Sequence, residues 1–477
     1  MSKRQKTVFT TLMFCFLFIH VAFGATYKNL VTFGDSLTDS GNIKTIAPDR
    51  YHTDYYSGGA FSNGKIWAEY FAEKLGINNK YLLANFLISG TWSPPDGNVW
   101  YNNAFGGAET GSKMEPLGLL SQVGVWANAG VNIPDNSLCI IWIGGNNFLN
   151  WIDDHSLNMG DYAEVTDNAV ADIITALTTL TNVLGATDIL IMNLPNLGKT
   201  PANNGYYGNN NTEYGTIVSS AFNNKLETAF TAFQATHPSV NYFLVDTYEF
   251  MEKAVENPQQ FGFNNAVNQA MFDTRPEYGF NNVEKYLFWD TVHPTTEAHK
   301  DIANQIYGRI LFENVNDEVI FFESHANDTL GLEYNELQDF RYVALSPNDY
   351  TAPNNTNKPD FIYGLFDITI TLENNQTDAE FTVYFPEAAP TDAKWYKSTS
   401  DGWIDFDKSV IDDLNNDGAV FSEDRKQVTI HITDNGPYDD DDTIGIIKDP
   451  SGLGSEASST DSDSGSSSGC FISTVLN

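Results

Sequence analysis

Basic residues are scarce in this 477-residue chain, and their scarcity excludes whole classes of partner. Only 25 lysines and arginines stand against 62 aspartates and glutamates, which gives a formal net charge of −37 at pH 7. Such a charge repels phosphate, so we expect no nucleic-acid binding and no electrostatic docking on anionic lipid. Apolar residues nevertheless make up 42% of the chain, which is typical of a folded protein, and the length predicts two or three domains.

Cysteine is also sparse, with three residues in the whole chain. Cys15 lies near the N-terminus, Cys139 within the apolar run 138–143, and Cys470 close to the C-terminus. Because these positions are far apart and Cys15 falls in a segment that we expect to be removed, no structural disulfide is expected. Cys139 is predicted to be an inert thiol of the core.

Long apolar runs are absent except at the N-terminus. Three basic residues among the first six precede the apolar run 8–23, and Ala22 and Gly24 place small side chains at the −3 and −1 positions of a cleavage site. This order is typical of a secretory signal peptide over residues 1–24, and an uncleaved anchor helix is the alternative. We therefore expect the protein to be secreted, either extracellular or attached to the cell surface.

Strands alternate with helices between about residues 26 and 312. Apolar runs that end at glycine, proline or aspartate predict buried strands at 28–33, 137–143, 188–193 and 240–245. Apolar stripes predict helices at about 165–184, 216–234 and 296–312. This alternation predicts an α/β fold with a parallel sheet covered on both faces. Segments 76–136 and 196–215, rich in Asn, Gly and Tyr, are predicted to be long loops above the sheet.

The pattern changes beyond about residue 316. Phe366, Ile368 and Ile370 show the alternation of period two that is typical of strands, and similar alternation predicts a small antiparallel β-sandwich. Residues 455–469 are almost entirely Ser, Gly, Asp, Glu, Ala and Thr, as in a flexible linker. The predicted boundaries are 1–24 for the signal peptide, 25–314 for the α/β domain, 316–454 for the β-sandwich, and 455–477 for the linker and a cysteine-led tail.

A serine, an aspartate and a histidine in the α/β part suggest nucleophilic catalysis. Ser36 follows the first strand within Gly34-Asp35-Ser36-Leu37, where open α/β sheets place their sites. Asp290 and His293 are three residues apart. His293 could be the base that takes the serine proton, and Asp290 could be the acceptor that orients it. Taken singly, each signal is also explained by an ordinary turn serine or by a surface aspartate at a helix start.

Two glycine-rich stretches could supply hydrogen-bond donors to an oxyanion. Asn146 follows a strand and a pair of glycines, so that its amide could point over the same sheet edge. In the stretch 103–108, either Gly106 or Gly107 lets a backbone N–H approach closely. Each stretch is also explained by a simple glycine turn.

Taken together, these motifs resemble the GDSL, or SGNH, hydrolase family. Residues 34–37 match its serine block, Gly107 or the neighbouring Gly106 its glycine, Asn146 its asparagine, and Asp290 with His293 its last block. The resemblance extends over about 28–312, and the stretch 58–67 is similar to the one that follows the serine block in lipase-like members. One departure is Asn147, where the family commonly has aspartate; we do not expect it to abolish activity.

The resemblance implies a flavodoxin-like three-layer α/β/α fold and hydrolysis of carboxylic esters through an acyl-enzyme. It implies that Ser36 attacks the acyl carbonyl, that His293 takes the proton, and that Asp290 orients His293. The backbone N–H groups of Ser36 and Gly107 and the amide of Asn146 would hold the oxyanion. No metal or other cofactor is expected for catalysis, and all these residues lie within 25–314.

The substrate is less well defined by the sequence. Several aromatic residues could line an apolar cleft or belong to the core, namely Phe105, Trp142, Phe148, Trp151 and those of the loop 92–101. The lipase-like resemblance favours lipid or short-to-medium acyl esters, and acetylated polysaccharide is the alternative substrate. In a different function class, the site is degenerate and the chain is a surface adhesin or binding module.

The C-terminal part, over about 316–454, resembles the bacterial choice-of-anchor domains. The similarity rests on the stretches 393–397, 402–404 and 433–450. It implies a bacterial, surface-attached enzyme, with cell-surface anchoring machinery as a partner of the tail. A carbohydrate-binding sandwich is the alternative, in which Trp395 and Trp403 would stack on sugars; otherwise both tryptophans belong to the core.

Two further features of this part remain open. Asp413-Leu414-Asn415-Asn416-Asp417-Gly418, with Asp424 in the twelfth place, has the oxygen spacing of an EF-hand-type Ca²⁺ loop. Because Asp424 is shorter than the usual Glu and no flanking helix pair is evident, a polar hairpin loop is the favoured explanation. Cys470, on its flexible linker, is expected to be either covalently attached or lipidated, or else a terminal thiol that dimerises on oxidation.

Overall fold

The computed structural model describes residues 27–456, apart from 52–53, 156–161, 207, 209, 274–279, 313–314, 316–318, 335–338, 356, 374–375 and 412–415. The predicted signal peptide and the tail with Cys470 lie outside the described residues. Among the described helices, none is long and apolar enough to cross a membrane.

Six parallel strands form the sheet of the N-terminal part. They are β1 (Asn29–Gly34), β2 (Asn79–Leu82), β3 (Val99–Asn102), β4 (Ser137–Trp142), β5 (Asp188–Met192) and β6 (Asn241–Val245). Their spatial order is β2-β3-β1-β4-β5-β6. If the short edge strand β2 is set aside, the order of the other five strands corresponds to the 2-1-3-4-5 order of a doubly wound flavodoxin-like sheet. In this order, successive strands are added on one side of β1 and then on the other. The predicted parallel sheet is confirmed.

Helices cover both faces of this sheet. They are α1 (Asn42–Ile46), α2 (Trp67–Lys74), α3 (Leu83–Ser89), α4 (Leu119–Ala129), α5 (Gly145–His155), α6 (Tyr162–Asn182), α7 (Thr212–Thr236), α8 (Thr247–Glu256) and α9 (Thr296–Leu311). Along β1, Val31 and Phe33 pack into one hydrophobic cluster with α4, α6 and α7, whereas Leu30 packs into another with α2 and α9. The three helices predicted from apolar stripes are present as α6, α7 and α9.

The prediction of a long loop over 76–136 is wrong. This segment contains α3, α4 and two strands, of which β3 pairs with β1 inside the sheet. β3 has only four residues, too few for a periodic signal, and tertiary contacts hold it: the Trp100 indole donates to the Thr32 hydroxyl at 2.9 Å. The prediction over 196–215 was also partly wrong, because a 3₁₀ turn at Leu197–Lys199 and the first turn of α7 lie there.

A small parallel pair leads into the last loop of the α/β part. It consists of β7 (Asn265–Gln269) and β8 (Tyr286–Phe288). Thr295 then caps α9, since its hydroxyl oxygen accepts from the Ala298 N–H at 3.3 Å. The same hydroxyl donates to the carbonyl of Tyr286 at 2.7 Å, so the loop between β8 and α9 is fixed at both ends.

The C-terminal part consists of antiparallel strands. They are β9 (Ile320–Glu323), β10 (Thr329–Tyr334), β11 (Asp339–Leu345), β12 (Asp360–Phe361), β13 (Leu365–Thr371), β14 (Asp378–Tyr384), β15 (Lys394–Thr399), β16 (Gly402–Asp405), β17 (Gly418–Phe421), β18 (Gln427–Thr433) and β19 (Ile446–Ser455). One sheet has the order β17-β18-β14-β10-β9, and the other β11-β13-β19-β15-β16 with β12 beside β19. Both contribute to one hydrophobic cluster. Trp395 and Trp403 are buried, which places them in the core rather than on a sugar-stacking surface.

The predicted Ca²⁺ loop lies partly outside the described residues, which omit 412–415. Asp417 is buried and accepts a hydrogen bond from the Thr433 hydroxyl at 2.8 Å, whereas Asp424 accepts from the Ser422 hydroxyl at 2.7 Å. Within the described part of the chain, no group of three or more His, Cys, Asp or Glu side chains is arranged to hold a metal ion. A bound Ca²⁺ here stays a prediction.

The two parts of the chain meet along α9. Phe321 of β9 packs so closely on Gly308 that a Cβ atom at residue 308 would lie 2.0 Å from the phenyl ring. Beside this contact, Glu323 accepts from Lys74 at 2.8 Å and from Lys300 at 2.9 Å. Glycine at 308 is therefore required by the close approach of the ring.

Candidate active site

The segments that follow β1 and β8 bring the three predicted catalytic side chains together. Nε2 of His293 lies 2.7 Å from Oγ of Ser36, and Nδ1 of the same ring lies 2.6 Å from Oδ2 of Asp290. With the Nδ1–H donated to Asp290, Nε2 is left to accept the serine proton. Ser36 and His293 are 257 residues apart along the chain. The three side chains nevertheless form one hydrogen-bonded series.

The local backbone holds Asp290 in its ionised form. Its Oδ1 accepts the N–H groups of Val292 at 2.8 Å and of His293 at 2.7 Å. Burial alone would raise the pKa of Asp290, but the charge of His293 and these hydrogen bonds hold it below its ordinary value. Burial likewise opposes protonation of His293, yet the charge and hydrogen bond of Asp290 raise the pKa of His293 above its ordinary value.

Tyr56 is a fourth member of this series that the sequence did not reveal. Its hydroxyl donates to Oδ2 of Asp290 at 2.8 Å, and its ring meets the His293 ring edge to face at 6.2 Å. Phe61 stacks on the His293 ring with ring centroids 5.6 Å apart, and it also contacts the ring of Tyr56 at 5.4 Å. Tyr56 lies in a Tyr- and Gly-rich stretch that is 234 residues from Asp290, and no local motif singles it out.

We expect Tyr56→Phe to lower kcat about threefold to tenfold, which corresponds to about 0.7–1.4 kcal/mol, the net contribution of one ordinary hydrogen bond, because Tyr56 acts on His293 only through Asp290. Because His293 must be neutral to accept the proton, kcat/KM should rise with pH through the raised pKa of His293. Loss of the tyrosine donor leaves Asp290 a stronger partner for the imidazolium, so the acidic limb of kcat/KM should move to higher pH. A pH–rate profile measures both effects.

Phe61→Leu, which keeps the hydrogen bond to Asp290 and removes only the stacked ring, is the matched control. The acidic limb of kcat/KM should shift less in Phe61→Leu than in Tyr56→Phe. An unchanged limb in Tyr56→Phe would show that the tyrosine serves packing alone.

The structure favours Gly107 over Gly106 as a donor to the oxyanion. The N–H of Gly106 donates to Oδ2 of Asp39 at 2.9 Å and is therefore already used. Gly107 lines the cleft beside Ser36, and its φ of 79° is a conformation that L side chains rarely adopt. Asn146 also lines the cleft and donates one amide hydrogen to the carbonyl of Ala108 at 2.9 Å. Its second amide hydrogen has no partner among the described residues and could therefore meet a substrate oxygen.

Asp39 organises the loop around these donors. Its carboxylate accepts the N–H groups of Gly41, Asn42 and Ile43 as well as that of Gly106, at 2.7–3.1 Å. Burial raises the pKa of Asp39 to about 6, although each of these hydrogen bonds opposes the rise. The loop after β1 and the loop after β3 are thus joined through one side chain.

Asn147 has a structural partner that accounts for its departure from the family pattern. Its Oδ1 accepts the N–H of Thr110 at 3.1 Å, and its Nδ2 donates to the hydroxyl of the same residue at 3.1 Å. The Thr110 hydroxyl in turn donates to Asp172 at 2.9 Å. An amide serves both bonds, whereas an ionised carboxylate would serve only the first.

A cavity of about 230 Å³ opens beside Ser36 and His293. Its wall away from the polar groups is mostly aliphatic, and it includes Leu149, Leu194, Pro195, Leu197, Met251, Leu287, Val292, Ala298 and Ile302. Of the aromatic residues suggested for this role, Trp142 lines the cavity. Phe105 and Phe148 are fully buried in the core instead, and Trp92 packs on Trp126 with ring centroids 4.5 Å apart. The side chain of Trp151 lies outside the described residues.

Comparison with known proteins identifies the family to which the chain belongs. The family model of the GDSL-like Lipase/Acylhydrolase matches residues 30–306. A GDSL esterase/lipase of Arabidopsis thaliana is 27% identical over 346 residues, which cover 63% of this chain and 96% of that protein. The thermolabile hemolysin of Vibrio parahaemolyticus is 27% identical over 298 residues, covering 58% and 63% of the two chains. A solved acetylxylan esterase of Geobacillus stearothermophilus superposes with a TM-score of 0.31 at 15% identity, over 60% of this chain and 96% of that one. Since the family model spans more than half of its residues, this chain belongs to the GDSL-like lipase/acylhydrolase family and is an ester hydrolase.

Proposed function

We propose that the protein is a serine carboxylic-ester hydrolase that cleaves lipid or short-to-medium acyl esters through an acyl-enzyme. The observation that supports this most directly is the hydrogen-bonded series Ser36–His293–Asp290 at the edge of an apolar cavity. The polar groups support the reaction type, and the aliphatic wall of the cavity supports a preference for longer acyl groups.

In the proposed reaction, Oγ of Ser36 attacks the acyl carbonyl while Nε2 of His293 takes its proton. The negative charge that develops on the carbonyl oxygen meets the N–H groups of Ser36 and Gly107 and the amide of Asn146. His293 then protonates the leaving alkoxide, and an acyl-serine remains. Water, deprotonated by the same imidazole, then attacks this ester. The imidazolium returns the proton to Oγ of Ser36 as the carboxylic acid leaves.

The cavity wall favours acyl chains longer than acetyl. Each methylene group moved from water onto an aliphatic surface contributes about 0.8 kcal/mol, which corresponds to about a fourfold gain in kcat/KM while the chain remains inside. Because acetyl leaves most of the wall uncovered, acetyl esters should be poor substrates.

A series of p-nitrophenyl esters from acetate to palmitate tests this expectation. We expect kcat/KM to rise from acetate to butyrate and hexanoate by about fourfold per methylene, and to level off once the chain outgrows the cavity. Narrowing the cavity with Ala298→Leu should move the optimum to shorter chains, whereas Ile444→Leu, at an exposed site of the C-terminal part, should leave it in place. An optimum at acetate, with release of acetate from acetylated polysaccharide, would instead support a polysaccharide acetyl esterase.

We further propose that the protein is exported and held at the cell surface. The secretory pattern of residues 1–24 supports export, and the antiparallel sheets of 320–455 support a β-sandwich of the choice-of-anchor kind ahead of the tail. Mass spectrometry of the C-terminal peptide from native cells tests attachment at Cys470. An unmodified peptide ending at Asn477, recovered from the medium, would contradict it.

A further inference from the structure

The core of the C-terminal sheets contains a lysine–aspartate pair that ester hydrolysis does not use. Nζ of Lys397, on β15, donates to Oδ1 of Asp449, on β19, and the two side chains are 1% and 0% exposed. Lys397 pairs with Ser451 across these antiparallel strands, so Asp449 is its diagonal neighbour on the same face. The contact therefore joins two residues that are 52 positions apart along the chain.

The surroundings of this pair are apolar. Trp395 and Leu453, which lie two positions from Lys397 and Ser451 on the same strands, belong to the hydrophobic cluster of the sheets. Nζ of Lys397 also lies 5.8 Å from the centroid of the buried Phe406 ring.

The pair is not fully satisfied by hydrogen bonds in its charged form. An ammonium group carries three N–H donors, and among the described residues Nζ of Lys397 donates to Asp449 alone. Removing two charges from water is unfavourable, and their attraction offsets this only when further hydrogen bonds satisfy both groups. A change that removed both charges would therefore stabilise the fold.

We propose that Lys397 and Asp449 condense to an intramolecular isopeptide bond between Nζ and Cγ. The bond would be a covalent link between β15 and β19, and the inference does not rest on the proposed function. Nζ contacts the carboxyl group that it would attack, and reactants that the fold holds in contact react far faster than separate molecules. The resulting amide carries no charge and has a single N–H to satisfy.

The reaction balances without any co-reactant. A proton passes from the Lys397 ammonium to Oδ1 of Asp449, and the lone pair of Nζ then attacks Cγ. The Ser451 hydroxyl donates to Oδ2 of Asp449 at 2.7 Å, so Ser451 can pass its proton to Oδ2 and take one from Nζ in exchange. The bond between Cγ and Oδ2 breaks, and Oδ2 leaves as water with the proton from Oδ1. Nothing is oxidised or reduced.

Mass spectrometry of the full chain tests the proposal. We expect the denatured protein to be lighter, by the mass of one water, than the sequence of the recovered chain requires. Trypsin should fail to cut after Lys397, and peptide mapping should find residues 395–408 joined to the peptide that begins at Asp449. A full calculated mass with a free peptide ending at Lys397 would show an ion pair only and overturn the proposal, as would a link from Lys397 to another carboxyl group.

Two variants identify the source of the lost water. Lys397→Met combined with Asp449→Leu replaces the pair by apolar side chains of similar size, which buried sites often accept. Its circular dichroism should stay unchanged and its mass should equal the calculated value. Lys394→Met, on the same strand, removes a lysine that pairs with Asp405 at 3.1 Å and is 37% exposed; this matched control should still lose one water. Loss of water in the double variant would contradict the proposal, and if that variant did not fold, the peptide map of the unsubstituted chain would decide alone.

Discussion

Ser36→Ala is expected to lower kcat for p-nitrophenyl butyrate by about 10⁴-fold or more, because no other atom can form the acyl-enzyme. The oxyanion donors and the cavity remain, so a residual rate above that of water alone should persist. The substitution removes one oxygen from a residue that is only partly buried, and the unfolding temperature should therefore stay close to its original value.

A covalent probe provides an independent measurement of the same residue. A fluorophosphonate should label the unsubstituted chain with one equivalent, and peptide mapping should place the label on Ser36. Ser40→Ala, a nearby serine whose hydroxyl contacts Lys80 at 2.6 Å, is the matched control and should still be labelled. Near-original turnover in Ser36→Ala would rule out the proposed mechanism.

Asn146→Ala is expected to lower kcat about 10²- to 10³-fold with a much smaller change in KM. The reason is that its free amide hydrogen meets charge that exists only in the transition state, so ground-state binding loses little. Steady-state kinetics on the same soluble ester separate the two constants.

Asn182→Ala is the control for this substitution, because Asn182 lies at the exposed end of α6 and contacts only His237 at 3.4 Å among the bonds described. It should leave kcat and KM unchanged. If Asn146→Ala raised KM alone, the amide would bind the ground state and the transition state equally well. If the substitution changed neither constant, Asn146 would be only a turn residue that holds Ala108.

A site residue can be predicted from the sequence when the pattern that marks it is local, and it is missed when its role depends on a contact with a distant segment. Ser36 directly follows a buried strand, and Asp290 and His293 share one short loop, so their spacing is visible in local sequence. Tyr56 reaches Asp290 only through the fold, and nothing near Tyr56 in the sequence encodes that hydrogen bond. A pairwise contact between distant segments leaves no periodicity behind.

The same reasoning applies to the fold. Strands such as β4 are buried on both faces and produce continuous apolar runs, which identify them without further information. β3 has four residues and depends on its register with β1 and on the bond from Trp100, so its composition suggested a loop. The cavity wall is hard to predict for a related reason. Aromatic residues indicate apolar surroundings, but the packing of helices from several segments decides whether a ring faces the cavity or the core.

The contact between Phe321 and Gly308 couples the two halves of the molecule thermodynamically. α9 begins just after His293, and its far end is covered by the ring of Phe321, where no side chain at residue 308 would fit. The free energy of unfolding the C-terminal sheets is therefore partly shared with the helix that follows the catalytic loop. Evolution could not exchange this C-terminal part for another module as freely as it could a domain attached by a linker, since any replacement must also supply a cover for the glycine face of α9.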